Sequence, residues 1–180
     1  MMDLANIKTQ TFLYPTDTTF GIGCDATNSE AIQKIFQIKN RPDSKSFIIL
    51  VESEARLQSI VDVPELAWDI IDLSEKPTTI IYDNPRNLPS NIIAKDNTIA
   101  IRLTKDLFCK KLISKINAPL ISTSANLSGE PTPFHYNDIS PKIIEQVDYI
   151  FPECESFIPK FRASSIIKLS AGGQVKVIRE

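Results

Sequence analysis

Histidine is almost missing from this chain: His135 is the single one among 180 residues. A centre built from several histidines is thereby excluded. A Ser-His-Asp triad would have to use this one residue, and no G-x-S-x-G surrounds any serine. Cysteine is scarce too. Cys24, Cys109 and Cys154 are odd in number, far apart and without a C-x-x-C. That argues against a disulfide framework or a structural zinc site and for a reducing compartment. Glycine is rarer than proline, 5 against 12, so rigid turns are expected and the glycine signatures are incomplete. No G-x-x-x-x-G-K-[ST] occurs, and "GIGCDA" lacks the third glycine of a dinucleotide fingerprint and opens no helix directly. No apolar run approaches the roughly 20 residues of a membrane span. The start "MMDLANIKTQ" lacks the basic segment and apolar stretch of a signal peptide. An excess of charge is lacking as well: the net charge is -2 and the pI near 5.5. Any contact with nucleic acid must therefore use a local patch. These absences predict a cytoplasmic protein without a membrane partner.

What is present is material for a core. Hydrophobic residues make up 42% and charged residues 23%, an ordinary globular balance. One domain, 1–180, is expected. "TFLY", "SFIILV", "TTIIY", "TIAIRL" and "PLIST" read as strands. "SSIIKLS", "AGGQ" and "VKVIR" read as a hairpin through Gly172-Gly173. Helices are predicted from about Glu30 to Lys39, capped by Asn28 or Ser29, and over "SEARLQSIV", "PELAWDIIDLSE", "DLFCKKLISKI" and "PKIIEQV". The apolar stripe of "DLFCKKLISKI" is expected from Leu107, Phe108, Leu112 and Ile116. "PTDTTFGIGCDATN", "NPRNLPSNIIAKDN" and "SANLSGEPTP" read as loops. Strands and helices alternate, and the hairpin makes the sheet mixed. The class is α/β or α+β, a twisted sheet with helices on its faces.

Two kinds of segment carry chemistry. In "IFQIKNRPDSKSFIILV" three cations, Lys39, Arg41 and Lys45, gather where a helix gives way to a strand. Ile32, Ile35, Phe36 and Lys39 share one helix face, so Lys39 must snorkel, pair or meet a ligand. Cations at a helix C-terminus also complement its dipole. Three of them around Pro42 favour an anion site, since arginine makes bidentate phosphate contacts and lysine adds a point charge. The second kind is the hydroxyl-rich loop at a strand's end. "PTDTT" and "STSAN" are two of them, placed where open α/β sheets bind ligands. Ser122, Thr123, Ser124 and Asn126 suit phosphate oxygens, a ribose or an amino acid, and equally suit local turns. Asp17 reads as a base, a metal ligand or, more often, a cap. His135 reads as a surface loop residue.

The stretches "YPTDTTFGIGCDATNSEAIQKIFQIKNRP" and "PLISTSANLSGEPTP" resemble the YrdC-like family, the threonylcarbamoyl-AMP synthases also called TsaC-type proteins. "TIAIRL", "VDYIF" and "SSIIKLSAGGQVKVIRE" are weaker matches, in the family's order. The resemblance implies a single YrdC-like domain whose sheet carries a concave, positively charged surface. It implies a nucleotidyltransferase that condenses L-threonine, bicarbonate and ATP, with Mg²⁺, to threonylcarbamoyl-AMP and pyrophosphate. A partner enzyme then passes the group to adenosine 37 of tRNA.

Carried over residue by residue, the resemblance makes Lys39, Arg41, Ser124 and Asn126 the catalytic K-x-R and S-x-N elements. It places Arg41, Lys45, Thr98, Ser124, Thr132 and Arg179 on ATP, and Thr18, Arg102, Ser122 and Ser164 on threonine. No metal ligand or general base is assigned among the side chains. The sequence departs from the family's pattern at Glu75-Lys76, where Pro-Gly is usual, at Ser46, and over 152–163. The implied partners are tRNA or double-stranded RNA and the other proteins of threonylcarbamoyl transfer. The competing reading is a divergent paralogue that binds RNA or nucleotide without turnover.

Overall fold

A continuous apolar run such as Phe47 to Val51 needs cover on both sides of its strand, and the fold supplies it. The computed structural model describes residues 6–40, 47–161, 163–170 and 172–180. Nine strands among them form one mixed sheet: β1 (Phe12–Pro15), β2 (Phe20–Gly23), β3 (Ile48–Val51), β4 (Thr78–Asp83), β5 (Thr98–Leu103), β6 (Leu120–Ser124), β7 (Tyr149–Ile150), β8 (Ser165–Leu169) and β9 (Val175–Arg179). Their spatial order is β7-β1-β2-β6-β3-β5-β4-β8-β9. The pairs β1/β7, β3/β5 and β4/β8 are parallel and the rest antiparallel.

Successive residues of a strand face opposite ways, and two cores result. Leu13, Ile49, Val51, Ile101 and Ile121 join the larger core with helices α1 (Ser29–Ile38), α2 (Glu54–Ile60) and α3 (Glu65–Leu73). Phe12, Tyr14, Leu50 and Leu120 face the other way and meet Cys109, Leu112, Ile113 and Ile116 of α4 (Leu107–Ile116). Burying each of these large side chains contributes about 1.5–3 kcal/mol. Polar side chains close the helix starts: Asn28 Oδ1 accepts from the Glu30 and Ala31 amides, both at 3.0 Å, and Asp106 Oδ1 from Cys109 N at 2.8 Å. α4 stops at Asn117, whose φ of 54° lies in the left-handed region.

Several sequence expectations change. "PTDTTFGIGCDATN" is not a loop throughout, because Phe20–Gly23 form β2, a hairpin partner of β1. The glycines that weaken a strand signal are what the packing demands. A Cβ on Gly23 would lie 1.9 Å from the Ile121 carbonyl oxygen, and one on Gly21 2.9 Å from the Tyr14 ring. The stripe of α4 is rotated: Leu107 is 73% exposed, while Cys109 and Ile113 are buried. The predicted helix over "PKIIEQV" shrinks to α5 (Pro141–Ile144). The hairpin of β8 and β9 forms as expected, with Ser170 N donating to Gln174 O at 3.0 Å. No helix of the described residues is long and apolar enough to cross a membrane.

Candidate active site

α4 covers only part of its sheet face. Beyond it, the same face presents small and hydroxyl-bearing residues. Ile48 pairs with Ala100 and Ser122, and Gly21 with Ser124, so these residues and Arg102, two positions past Ala100, point to one side. They floor a cavity of about 390 Å³. Its walls include Thr18 from the β1–β2 turn, Arg102 from β5, Ser122 and Ser124 from β6, Thr132 from the following loop, Ser164, and Arg179 from β9. Seven of the residues expected at the site thus meet in one place, brought from segments between Thr18 and Arg179 in the sequence.

Each wall has a local reason. The turn joining β1 to β2 is closed by Thr16: its amide donates to Thr19 O at 3.2 Å, and its Oγ1 accepts from the Thr18 and Thr19 amides at 3.0 and 3.1 Å. Thr18 Oγ1 shares a 3.0 Å hydrogen bond with Thr16 Oγ1 and is buried at the cavity's edge. Across the cavity Ser164 Oγ bonds to Thr79 Oγ1 at 2.9 Å, and Arg179 Nε donates to the Ser164 carbonyl at 2.9 Å. Burial, followed by repulsion from Arg102, lowers the pKa of Arg179. The two guanidiniums therefore feel one another across the space, and no carboxylate is among the described residues that line that cavity. The arrangement favours an anion with several oxygens. Its donor set does not fit a divalent cation, and no group of three His, Cys, Asp or Glu able to hold a metal occurs among the described residues.

Lys39 and Asn126 stand behind this cavity and support it. Lys39 is 2% exposed, the C-cap of α1, and its Nζ donates to Ser124 O at 2.5 Å and to Asn126 O. Asn126 Nδ2 donates to the Leu127 and Glu130 carbonyls at 3.0 and 2.7 Å. Of the fates open to Lys39, pairing is the one its described contacts show. Thr98 lies on the same strand as Arg102 but off the cavity wall, its Oγ1 donating to Asp96 Oδ1 at 2.7 Å. Arg41 and Lys45 lie outside the described residues. His135 is an exposed loop residue, as expected.

Asp17, read from the sequence as a base, a metal ligand or, more often, a cap, lies beside Arg102. Arg102 Nη2 is 3.0 Å from Asp17 Oδ1, with side chains 5% and 16% exposed. Burial raises the Asp17 pKa; Arg102 opposes the rise and Asp106 adds to it. A second cavity, about 470 Å³, opens on this pair and is walled by Asp17, Arg102, Glu75, Lys76, Phe157 and Phe161 among others. Thr79 is fully buried, lines neither cavity and backs Ser164 from behind.

Residues 8–180 match the family model Sua5_yciO_yrdC, described as Telomere recombination. A protein of Pseudoalteromonas translucida named Threonylcarbamoyl-AMP synthase is 33% identical over 148 residues, 80% of this chain and 79% of the relative. Among solved structures, E. coli YciO superposes with a TM-score of 0.83 at 23% identity, covering 98% of this chain and 86% of YciO. P. abyssi Sua5 complexed with L-threonine gives 0.80 at 24% identity, covering 92% of this chain and 49% of Sua5. This chain therefore spans about half the length of that Sua5.

Proposed function

Because the chain belongs to the Sua5/YciO/YrdC family, we propose that it is an L-threonylcarbamoyladenylate synthase, a nucleotidyltransferase working as one domain over residues 1–180. It joins L-threonine, bicarbonate and ATP into threonylcarbamoyl-AMP and pyrophosphate. The observation that carries the reading is the cavity on which two guanidiniums and eight hydroxyl-bearing residues converge, with no carboxylate among its described lining residues.

That chemistry asks for charge neutralisation and positioning rather than a covalent nucleophile. The threonine nitrogen attacks the carbonyl carbon of bicarbonate, and water leaves as the carbamate forms. A carbamate oxygen then attacks the α-phosphorus of ATP, and pyrophosphate departs with the electrons of the broken P–O bond. In this reading Arg102 holds the threonine carboxylate, with Thr18, Ser122 and Ser164 around the amino acid. Ser124, Thr132 and Arg179 face the nucleotide, joined by Arg41 and Lys45, while Thr98 stays off the cavity wall. Lys39 and Asn126 hold the loop that presents Ser124. The Mg²⁺ of the reaction would enter with the ATP phosphates and neutralise their charge. The setting is the cytoplasm. The product passes to proteins that transfer the group to tRNA, and tRNA or double-stranded RNA is the proposed nucleic-acid partner.

The test is direct. Purified protein is incubated with ATP, Mg²⁺, L-threonine and bicarbonate, and threonylcarbamoyl-AMP and pyrophosphate are followed at early times. Product that requires both threonine and bicarbonate, and that disappears in Arg41→Ala, is the expected result. ATP or RNA binding with no product, beside a working synthase as control, overturns the reading in favour of a paralogue without turnover.

A further inference from the structure

The larger cavity, about 470 Å³, has no role in the reading above and shares only Thr16 and Arg102 with the smaller one. Its walls come from the end of α3, the start of α4 and the segment after β7, with Ile71, Leu103, Leu107, Phe157 and Phe161 as its apolar part. Two of the stretches that depart from the family's pattern, Glu75-Lys76 and 152–163, meet in this wall.

The mouth of the cavity is strongly apolar. Leu73, Ile158 and Leu107 are the most exposed large apolar side chains among the described residues, at 82%, 74% and 73%. All three belong to the segments that build the cavity. Leu107 lines it; along the chain, Leu73 falls between the lining residues Ile71 and Ser74, and Ile158 between Phe157 and Lys160. Single exposed apolar residues are ordinary, but a group of them rimmed by charge marks an interaction site. A small molecule inside the cavity would leave Leu73 and Ile158 in water, since neither lines it. A protein segment that puts one side chain into the cavity and lies across its mouth covers them.

The charge left available at this mouth is positive. Asp17 is paired with Arg102, and Asp106 Oδ1 accepts from Cys109 N at 2.8 Å as the cap of α4. Glu75, Lys76 and Lys160 enter no ion pair among the described residues. Lys105 Nζ donates to the Ile71 and Ser74 carbonyls at 3.1 and 3.4 Å, and an ammonium has a third proton to give. Three ammoniums, of Lys76, Lys105 and Lys160, therefore stand against the one unengaged carboxylate of Glu75, on a chain whose net charge is -2.

We propose that this cavity and its rim are the docking surface for a partner protein that presents an acidic segment with one bulky apolar side chain. The apolar side chain enters between Leu103, Phe157 and Phe161, and the acidic side chains meet Lys76, Lys105 and Lys160. The inference goes beyond the synthase reading, in which none of these residues holds a substrate.

The test pans a display library of random short peptides on the full chain. The enriched peptides are then synthesised with a fluorescent label and measured by anisotropy. They are expected to be rich in Asp and Glu around a Phe, Trp or Leu, and to bind more weakly as salt rises. Lys76→Glu combined with Lys160→Glu is expected to weaken them about tenfold, and Leu107→Ser, by itself, about fivefold or more. These positions are exposed, and melting temperatures report whether the variants are folded. Ile158→Ser replaces Leu107→Ser, and Lys160→Glu alone replaces the double variant, should either fail to fold. No enriched peptide, enriched peptides without acidic residues, or affinities unchanged in either variant overturn the inference. Self-association of the wild type that Leu107→Ser abolishes, followed by light scattering, would make a second copy the occupant and overturn it too. So would a labelled RNA duplex that loses affinity in the lysine variant while the peptides do not, which would assign these cations to nucleic acid.

Discussion

Lys39 donates from its buried Nζ to the backbone carbonyl of Asn126, 87 residues further along the chain. With the parallel bond to Ser124 O, one ammonium ties the end of α1 to the loop that follows β6. Carbonyl oxygens buried beside this ammonium have no comparable donor once it is gone, and an unsatisfied buried group costs about 1–3 kcal/mol. Lys39→Met keeps the stem and removes the donor. The expected outcome is a loss of about 2 kcal/mol in stability and faster amide exchange across 122–130, read by hydrogen exchange. Unaltered exchange there would show that the ammonium does not hold the loop.

Gly23 lies under the Tyr14 ring with its missing side chain aimed at Ile121. Its Cβ would sit 1.9 Å from that carbonyl, so the backbone of β2 or β6 must move to admit it. Gly23→Ala is expected to cost about 3 kcal/mol, or roughly 6–12 °C in Tm. Gly172→Ala is the control, because the nearest atom to its Cβ is Ser170 Oγ at 3.9 Å. Equal melting temperatures for the two variants would contradict the packing argument.

Arg102 presents a planar fork of donors, and lysine carries the same charge without it. In the proposed reaction, Arg102→Lys is expected to raise the KM for L-threonine about ten- to a hundredfold, the loss of one or two charge-assisted hydrogen bonds, with a smaller change in the KM for ATP. Steady-state kinetics with each substrate varied in turn separates the two. A rise confined to ATP would move Arg102 to the nucleotide.

Asp148 joins α1 to the start of β1. Its Oδ2 accepts from Thr11 N and Thr11 Oγ1, each at 2.8 Å, and its Oδ1 pairs with Lys34. Burial pushes its pKa up, but the bonds from Lys34 and Thr11 outweigh it and leave the value below the ordinary 3.8. A carboxyl lowered in the folded state stabilises the fold above its unfolded pKa, and the contribution is lost as pH falls through the folded value. Asp148→Asn is therefore expected to cost about 1 kcal/mol near neutral pH, a figure reduced for partial exposure. The gap to wild type should close as the pH drops below 3.8. Urea unfolding across that range checks it, and a gap independent of pH would assign the loss to shape rather than charge.

Much of this molecule was legible in one dimension. Apolar runs, the Asn28 cap and the glycine pair of the last hairpin are local signals, because a strand's alternation and a helix's first turn are decided within a few residues. The Lys39 spacing placed a cation on a core-facing stripe for the same reason. Other features depended on neighbours far along the chain. Nothing near Gly21 and Gly23 announces a strand, since the Tyr14 ring and the Ile121 carbonyl that exclude a side chain arrive from β1 and β6. The rotation of the α4 stripe was set by which residues meet Phe12, Leu50 and Leu120, not by the helix alone. Asp17 has the sequence of an ordinary turn residue, and only the approach of β5 places Arg102 beside it. Residue types, their alternation and their helical and turn chemistry could be read along the chain, because they are short-range properties of the backbone and its nearest side chains. The tertiary structure decided which polar groups share a cavity and which charges lose their water. Those outcomes depend on distances between segments that no spacing along the chain encodes.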